Sequence, residues 1–426
     1  MSDIQYHEST PEADNSDGFQ PFDTIDFMLL ADGRKLLKNT VTVEFDVFAT
    51  SDSDYATRVT LADLIGIDNR IGGNFAFESW NVEIQSLGNV QNIMDYPRWV
   101  SMVTCASNNE NDFYSARFQA EGRGVMEQSG QIAIQQVSAR GSQGAVAGLV
   151  TDPNFCIKPQ ICFNNLTGDD YSFSKNGYIK LSCNVARASS ALFGGGAATA
   201  NYKIKNIKVL YQTRADDGVQ GMMLMNSVTS IKQTINSQQA NILSRVPSDK
   251  VNGVVISFLP QSDENNSKVN SYGLKKMPLL DEVQYLFSDS TAKYITYVIN
   301  DQSDMVIKGI EALNNTGRNM CSTSKLASNQ GFLIGLPFEE YIDLTSQKFS
   351  VQLKSKAVEL ISKPINTYIV VRKTWSAPLK NFEKEVSFYC NNGWEPVGDI
   401  IIERHKTTVI YNQALIKRSH NRRKGE

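Results

Sequence analysis

Three pairs of adjacent acidic residues are the side chains of this sequence best suited to catalysis. They are Asp169-Asp170, Asp216-Asp217 and Glu339-Glu340. Glycoside hydrolysis requires two carboxyl groups about 5–10 Å apart, one acting as an acid and the other as a base or nucleophile. Asp216-Asp217 directly precedes Gly218, however, and this order is typical of a tight turn. We therefore expect no catalytic role for the three pairs.

The histidine and cysteine residues offer no metal centre. His7, His405 and His420 are too scattered to form a local catalytic triad or metal cluster. Cys156 and Cys162 have neither the spacing nor the partners of a zinc site, so we predict two core thiols on a strand pair. The six cysteines include no CxxC pair, which favours reduced thiols in a reducing compartment.

The glycine clusters match no nucleotide-binding pattern. They lack both a GxGxxG sequence after a strand and a GK[ST] ending, and no GxSxG nucleophile elbow occurs. We predict that the chain is not an enzyme and that it binds no metal or cofactor.

The aromatic residues allow two interpretations. The four tryptophans, with 16 Tyr and 20 Phe, would suit a sugar or peptide site, but aromatic residues on sandwich strands more often pack in the core. Because Trp394 follows Asn392-Gly393, we expect it beside a tight turn. The tryptophans are Trp80, Trp99, Trp375 and Trp394.

Charge is distributed unevenly, although the formal net charge is only -3. Residues 1–33 contain no Lys or Arg, whereas the last ten residues are rich in both. A basic terminus suits contact with nucleic acid or an anionic membrane surface, and the alternative is a solvated terminus without a partner. The residues that we expect to contact a membrane or genome are Lys417, Arg418, Arg422, Arg423 and Lys424.

The length of 426 residues exceeds the roughly 250–300 at which a single core stops growing, so we expect two domains. The hydrophobic share of 41% and the charged share of 20% are typical of globular proteins. The sequence has no basic start joined to an apolar stretch and no run of ~18 apolar residues, so we expect neither a signal peptide nor a membrane span.

Alternation of apolar and polar residues predicts several strands. In residues 41–48, the apolar side chains share one face and the polar side chains share the other. Helical signal is scarce, but Asn89 to Ser107 fits one or two short helices, with Pro97 in a tolerated first-turn position. Asn176-Gly177 favours a type I′ hairpin. The same alternation recurs at residues 80–84, 179–183 and 207–211.

Two stretches rich in small residues, 119–150 and 186–200, show no period and are predicted to be long surface loops. Residues 214–246 look like a junction between two halves. Apolar spacing from Leu224 to Val246 fits a helix, but Val228 to Ile235 fits a strand equally well, so both remain open.

The two halves of the chain present the same elements in the same order. Each has an alternating strand, a short helical region, an apolar strand, another alternating strand and a closing strand. Two consecutive all-β units must each cover a sheet face, which predicts paired β-sandwiches. The segments are Trp80–Ile84, the region from Asn89, Phe155–Ile157, Ile179–Cys183 and Tyr202–Tyr211, then Val283–Phe287, Met305–Leu313, Phe332–Phe338, Phe349–Leu353 and Tyr368–Val371.

Several loose sequence patterns within roughly residues 24–412 carry a family resemblance. They are Ile25–Leu30 with Arg34–Leu37, Phe75–Trp80 leading into Tyr96–Trp99, and Gly335–Phe338 followed by Ile342–Thr345. In these patterns the chain resembles the double jelly-roll major capsid proteins of tailless icosahedral DNA viruses, a group related to adenovirus hexon. The resemblance implies an all-β fold of two tandem jelly-roll β-sandwiches with a few short helices. Residues 376–412 fit the pattern less well.

This resemblance divides the chain into five parts. They are a flexible acidic N-terminal arm at 1–23, a first jelly roll at 24–213, an inter-roll linker at 214–246, a second jelly roll at 247–412 and a basic C-terminal tail at 413–426.

The function that the resemblance implies is assembly. Three copies would form a pseudo-hexagonal capsomer that contacts neighbouring capsomers, penton and minor capsid proteins, with the C-terminal tail meeting an internal membrane or the genome. The protein would be made in the host cell cytoplasm and located in the virion. The alternative is a tandem β-sandwich carbohydrate-binding or adhesin-like attachment protein, which predicts a monomer or loose oligomer with a concave aromatic patch.

Overall fold

The structure is a computed structural model. It describes residues 3–60, 63–107, 116–123, 131–133, 152–219, 223–235, 239–244, 251–274, 280–288, 294–313, 332–342, 348–355, 365–376, 394–397, 403–405, 408–410 and 414–417.

The first half of the chain forms two sheets that enclose an apolar core. Its main strands are β1 (Gln5–Ser9), β2 (Thr24–Leu29), β3 (Thr42–Thr50), β4 (Phe77–Ile84), β5 (Gly88–Met94), β6 (Asn154–Ile157), β7 (Ile179–Val185) and β8 (Asn201–Ala215). One sheet has the order β1-β8-β3-β6, and the other has the order β2-β7-β4-β5. Buried and less buried residues alternate along β3 and β7, which confirms the strands predicted there. Phe45 of β3 meets Phe77 of β4 edge to face across the core, with 5.2 Å between ring centroids.

The second half repeats this arrangement. Its main strands are β9 (Met223–Ile235), β10 (Gln239–Ser244), β11 (Val251–Pro260), β12 (Leu280–Ser288), β13 (Tyr294–Ile299), β14 (Leu333–Ile342), β15 (Lys348–Ser355) and β16 (Ile365–Ser376). The sheet orders are β9-β16-β11-β14 and β10-β15-β12-β13. Each strand therefore occupies the position of the strand eight numbers earlier, which confirms the internal repeat predicted from the sequence.

A helix follows the fifth strand of each unit. Helix α1 (Tyr96–Ser107) comes after β5, and helix α2 (Gln302–Leu313) comes after β13. The helix predicted near Met305 to Leu313 is confirmed. In the region from Asn89 to Ser107 the prediction is right only for the second part, because the first part is β5 and pairs with β4.

The two units share one continuous sheet. Strand β5 of the first unit runs parallel to β9 of the second, with Asn92 opposite Thr229. The Ser230 hydroxyl donates to the Met94 carbonyl oxygen and accepts from the Met94 amide, both at 2.7 Å. The strand Leu166–Gly168 also pairs with the start of β9. The strands of both units are thereby held in one common sheet.

Shorter elements complete the described chain. Further strands are Arg34–Leu36, Ile65–Asp68, Gln131–Ala133, Tyr171–Ser172, Phe193–Gly194, Trp394–Val397, Glu403–His405, Thr408–Ile410 and Ala414–Lys417. Short α-helices are Ala116–Ala120, Phe173–Asn176 and Ala188–Ala191, and 3-10 turns are Gly72–Ala76, Cys162–Asn165 and Gln261–Asp263. The sequence also predicts strands at Val386 to Cys390, Asp399 to Ile402 and Thr407 to Tyr411. The first two segments lie outside the described residues, and the strand Thr408–Ile410 falls within the last.

Strands occupy two segments that the sequence analysis treats as connections. The N-terminal arm contains β1, the first strand of the first unit, whose five residues pair with β8. The linker at 214–246 contains β9 and β10, the first two strands of the second unit. Of the two alternatives for Val228 to Ile235, the structure has the strand. Strand β1 lacks apolar alternation because it is a mostly exposed strand at the edge of its sheet. Strand β9 lies between β5 and β16 inside the continuous sheet, and buried and less buried residues alternate only from Met223 to Ser227.

Two local expectations are wrong. Gly177 has a φ of +80°, but it ends the short helix Phe173–Asn176 by donating its amide to the Phe173 carbonyl, so Asn176-Gly177 forms no type I′ hairpin. The stretch 186–200 is packed rather than loose, since Leu192 is fully buried and Phe193–Gly194 pairs with Ile65–Asp68. Most of the predicted excursion at 119–150 lies outside the described residues.

Candidate functional site

Two of the three acidic pairs of the sequence lie around one buried lysine. The Lys35 side chain is 1% exposed, and its Nζ lies 2.7 Å from Asp217 Oδ1, 3.5 Å from Asp169 Oδ2 and 3.9 Å from Asp216 Oδ1. Burial alone would lower the pKa of Lys35, but its hydrogen bond to Asp217 and the surrounding carboxylates raise the pKa above the usual value. Lys35 therefore stays charged and balances part of the negative charge of these acids.

A second cation and several turn contacts complete this cluster. Arg214 Nε lies 2.8 Å from Asp170 Oδ2, and the Ser172 hydroxyl donates to Asp216 at 2.5 Å. The Gly218 amide donates back to Asp216, which confirms the predicted turn at Asp216-Gly218. Lys35 Nζ also donates to the Val219 carbonyl oxygen. The cluster thus fixes the chain where it leaves β8 toward the second unit, and its carboxylates are occupied by cations. Glu339-Glu340 lies apart from it in β14.

A loop of the second unit, residues 261–274, inserts against the first unit through a buried ion pair. Arg70 binds Asp68 with two nitrogens, at 2.6 and 3.0 Å, and both side chains are at most 3% exposed. Asn270 of the loop donates to Asp68 Oδ2 at 2.6 Å. Burial would raise the pKa of Asp68, but Arg70 and these hydrogen bonds hold it below the usual value. A buried carboxylate is thus shared between the units.

Arg98, at the start of α1, makes a second polar connection to the same loop. Its side chain is almost fully buried and donates to the carbonyl oxygens of Ser271 at 2.5 Å and Gly273 at 3.3 Å. Arg98 Nε also pairs with Asp95 at 2.8 Å. These carbonyl groups are buried away from water and lie in a loop, outside the hydrogen-bond pattern of the sheets. Arg98 therefore supplies the hydrogen bonds that they need.

Comparison with known proteins adds an independent observation. The sequence matches no protein-family model and no curated protein. The structure is similar to that of the Faustovirus major capsid protein, with a TM-score of 0.55, 9% sequence identity, and coverage of 89% of this chain and 91% of that chain. The chain folds as a double jelly roll. Matches of lower TM-score, both 0.46, are the mavirus major capsid protein (9% identity, coverage 87% and 86%) and a chain of the Sputnik virophage (10% identity, coverage 88% and 85%).

The basic tail of the double jelly roll can be located only at its beginning. Lys417 is the last residue of the strand Ala414–Lys417, where it lies opposite Trp394. Arg418, Arg422, Arg423 and Lys424 lie outside the described residues, so contact of the tail with a membrane or genome stays a prediction.

A buried ion pair in the first jelly roll escaped the sequence analysis. Glu121 and Arg123 fall in a segment predicted to be a surface excursion, yet their side chains are 0% and 2% exposed and 2.7 Å apart. The Gly73 amide donates to the Glu121 carbonyl oxygen at 2.7 Å, and Arg123 donates to the Thr104 hydroxyl at 3.0 Å. Oppositely charged residues two positions apart are common in loops, so the sequence around Glu121 and Arg123 does not indicate a buried ion pair.

Aromatic residues of the double jelly roll mostly follow the core interpretation. Trp80 is fully buried and Trp99 is 5% exposed, whereas the side chains of Trp375 and Trp394 lie outside the described set. Among described residues, the large aromatic side chains that remain exposed are Tyr6, Phe22 and Tyr297. They belong to three different segments, β1, the β1–β2 connection and β13.

The thiols and histidines show no reactive arrangement in the part of the chain that the structure describes. Cys162 and Cys183 are buried and Cys156 is partly exposed, and these three thiols are in no disulfide bond. Cys156 lies in β6 but Cys162 lies in a 3-10 turn, so the predicted strand pair is wrong for Cys162. The same residues contain no group of His, Cys, Asp and Glu placed to hold a metal ion, and no helix with the length and apolar composition needed to cross a membrane.

Proposed function

We propose that the chain is the major capsid protein of an icosahedral DNA virus, and that three copies form a pseudo-hexagonal capsomer. The observation that carries the proposal is the double jelly roll, which aligns nearly end to end with the Faustovirus major capsid protein. In this role the product is a shell, so affinity is spread over lateral surfaces and no active site is required.

The repeat of topology supports a six-sided capsomer. Two jelly rolls with the same strand order have similar outlines, so three chains present six comparable units around one axis. A closed ring also requires the two rolls of each chain to keep a fixed relative orientation. The continuous sheet through Asn92 and Thr229 holds the strands of both rolls along related directions, as two rolls standing side by side in a shell need.

The polar contacts between the rolls support the same role. Asp68 and Arg98 of the first roll bind residues 270–273 of the second. If the second roll rotated relative to the first, these buried charges would be exposed to water or would lose their partners. We expect such a junction to pass lateral force from one roll of the chain to the other. The proposed partners are further copies of the chain, neighbouring capsomers, and penton and minor capsid proteins, in a virion assembled from protein made in the host cytoplasm.

The solution mass of the purified full-length chain tests the proposal. Light scattering after size exclusion should give a stable mass near three times 47.4 kDa. Electron microscopy of the same material should then show capsomers or shells. A mass equal to that of a single chain across a wide concentration range would contradict the proposal. It would favour the tandem carbohydrate-binding module, for which a glycan screen is the next experiment.

The role proposed for the basic tail is contact with an internal membrane or the genome. Deletion of residues 418–426 preserves the strand that ends at Lys417 and removes Arg418, Arg422, Arg423 and Lys424. We expect this variant to form trimers with normal stability but to give fewer complete particles. A variant with these four residues changed to Gln separates the effect of charge from that of length. Normal particle yield from both variants would refute the tail contact.

A further inference from the structure

The first strand of the first roll is held by a small number of polar contacts. Four of the five β1 residues are at least partly exposed, and Tyr6 is 79% exposed. On one side β1 pairs with β8 over five residues. On the other side the Ser9 hydroxyl donates to the Met28 carbonyl oxygen at 2.9 Å. Elements with so little buried apolar surface open at low free-energy cost.

His7 makes the most specific side-chain contact of β1. Its ring stacks on Tyr211 of β8, with 5.0 Å between centroids and 14° between planes. His7 Nε2 lies 2.8 Å from Thr213 Oγ1, and Thr213 is completely buried. The same hydroxyl oxygen accepts from Arg34 Nε at 2.7 Å. The guanidinium can only donate, so the hydroxyl proton of Thr213 is available to Nε2 of a neutral imidazole.

A proton on His7 would place two positive charges on one hydroxyl oxygen. Arg34 comes from the strand Arg34–Leu36, and its own counter-charge is Asp3, which lies 3.2 Å from Arg34 Nη1. The other charged groups of the packed elements have partners of their own. Glu8 of β1 lies 3.4 Å from Lys208 of β8, Asp26 of β2 pairs with Lys180, Arg214 of β8 pairs with Asp169 and Asp170, and Lys35 faces the acidic cluster.

We propose that His7 is an acid-operated latch for the N-terminal strand: neutral His7 holds β1 against β8, and protonation of its imidazole releases β1. Release would uncover the edge of β8 that pairs with β1 and would break the hydrogen bond from Ser9 to the Met28 carbonyl oxygen of β2. The latch is a property of the folded chain and does not depend on the proposed function.

The direction of the pH dependence follows from the two states of His7. In the docked strand, burial and then the charge of Arg34 lower the pKa of His7 below 6.5. In a released strand the imidazole is solvated and regains the usual pKa. The released state therefore binds the proton more tightly, so docking is complete above pH 6.5 and is lost as the pH falls below it. Each unit by which the pKa is lowered favours release in acid by about tenfold.

Hydrogen exchange of the full-length protein tests the latch. Wild-type protein is labelled at pH 7.5 and pH 5.0, with labelling times scaled for the intrinsic change of exchange rate. We expect peptides covering residues 5–9 and 209–213 to lose protection at pH 5.0, while residues 365–376 of β16 keep theirs. His7→Gln should abolish the difference between the two pH values, whereas His420→Gln, the matched control, should retain it.

Either of two results would overturn the latch. One is unchanged protection of residues 5–9 in wild-type protein at pH 5.0, and the other is an acid response in His7→Gln as large as in wild type. If His7→Gln prevents docking of β1 at every pH, the wild-type protein still decides the matter through the pKa of His7 itself. Nuclear magnetic resonance of ¹³C-labelled histidines, with the His7 signal assigned by its loss in the variant, should give a pKa below 6.5. A value of 6.5 or above would refute the proposal.

Discussion

Gly309 of α2 lies directly against Gly335 of β14. A Cβ atom added to Gly335 would be 3.0 Å from the Gly309 Cα and 2.5 Å from the Val254 carbonyl oxygen. A Cβ added to Gly309 would be 2.8 Å from the Ile334 carbonyl carbon. Neither glycine has a positive φ, so it is space and not backbone conformation that requires glycine here. This contact lets the helix pack onto the sheet of the second roll.

Gly335→Ala should therefore destabilise the second roll. The added methyl group meets backbone atoms that cannot rotate away, and overpacking of this kind costs about 1–3 kcal/mol of the free energy of unfolding. Chemical denaturation measures the change. Gly195→Ala is the matched control, because the nearest atom to its Cβ would be Leu64 Cδ1 at 3.9 Å. A wild-type unfolding midpoint for Gly335→Ala would show that the helix shifts freely.

Lys35→Met tests the buried cation at the exit from β8. The change leaves Asp169, Asp216 and Asp217 without their shared counter-charge, so the free energy of unfolding should fall. We also expect faster hydrogen exchange in residues 213–215. Lys203→Met removes a partly exposed lysine whose ammonium lies over the Tyr55 ring, and it should change stability by less than about 1 kcal/mol. Equal stability of the two variants would contradict the prediction. It would mean that Asp217, the most exposed of the three acids, does not need Lys35 as a counter-charge.

Asp68→Asn should alter the acid sensitivity of the protein. The pKa of Asp68 is held below its usual 3.8, so its contribution to stability is complete above that pH and is lost as the pH falls toward the folded pKa. The variant should be less stable at pH 7, and the difference from wild type should shrink between pH 4 and pH 3. Urea unfolding at several pH values measures it. Asp152→Asn, in a more exposed pair with Arg58, is the control, and a difference for Asp68→Asn that does not vary with pH would contradict the assignment.

The sequence predicts those elements that bury one face. Apolar and polar residues alternate in residues 41–48 because one face of β3 covers the core. For the same reason the order of strands and helix can be recognised in both halves of the sequence. Strand β1 could not be predicted, because Gln5 to Ser9 is polar and its pairing partner lies two hundred residues away. Asn176-Gly177 fits a hairpin locally, but Gly177 ends a helical turn, where its amide donates to the Phe173 carbonyl oxygen.

The polar clusters were beyond sequence reasoning for a related cause. Asp169 and Asp217 are visible as acids, but their common partner Lys35 precedes them by more than a hundred residues, and only the sheet order brings the three together. The loop that binds Asp68 is likewise supplied by the other roll. Residue type indicates that such groups need partners, while topology decides which partners they have.

Arg98→Met should loosen the connection between the rolls without unfolding either one. The methionine fills part of the space but cannot donate to the Ser271 and Gly273 carbonyl groups, which become buried acceptors without partners at a cost of about 1–3 kcal/mol each. We expect hydrogen exchange to increase in residues 261–274 while protection in β3 and β16 is kept. Lys308→Met, which removes an exposed pair with Glu311 on α2, should cost less than about 0.5 kcal/mol and leave the loop protected. If the loop stays protected in Arg98→Met, the shared sheet and Asp68 are sufficient to hold the two rolls together.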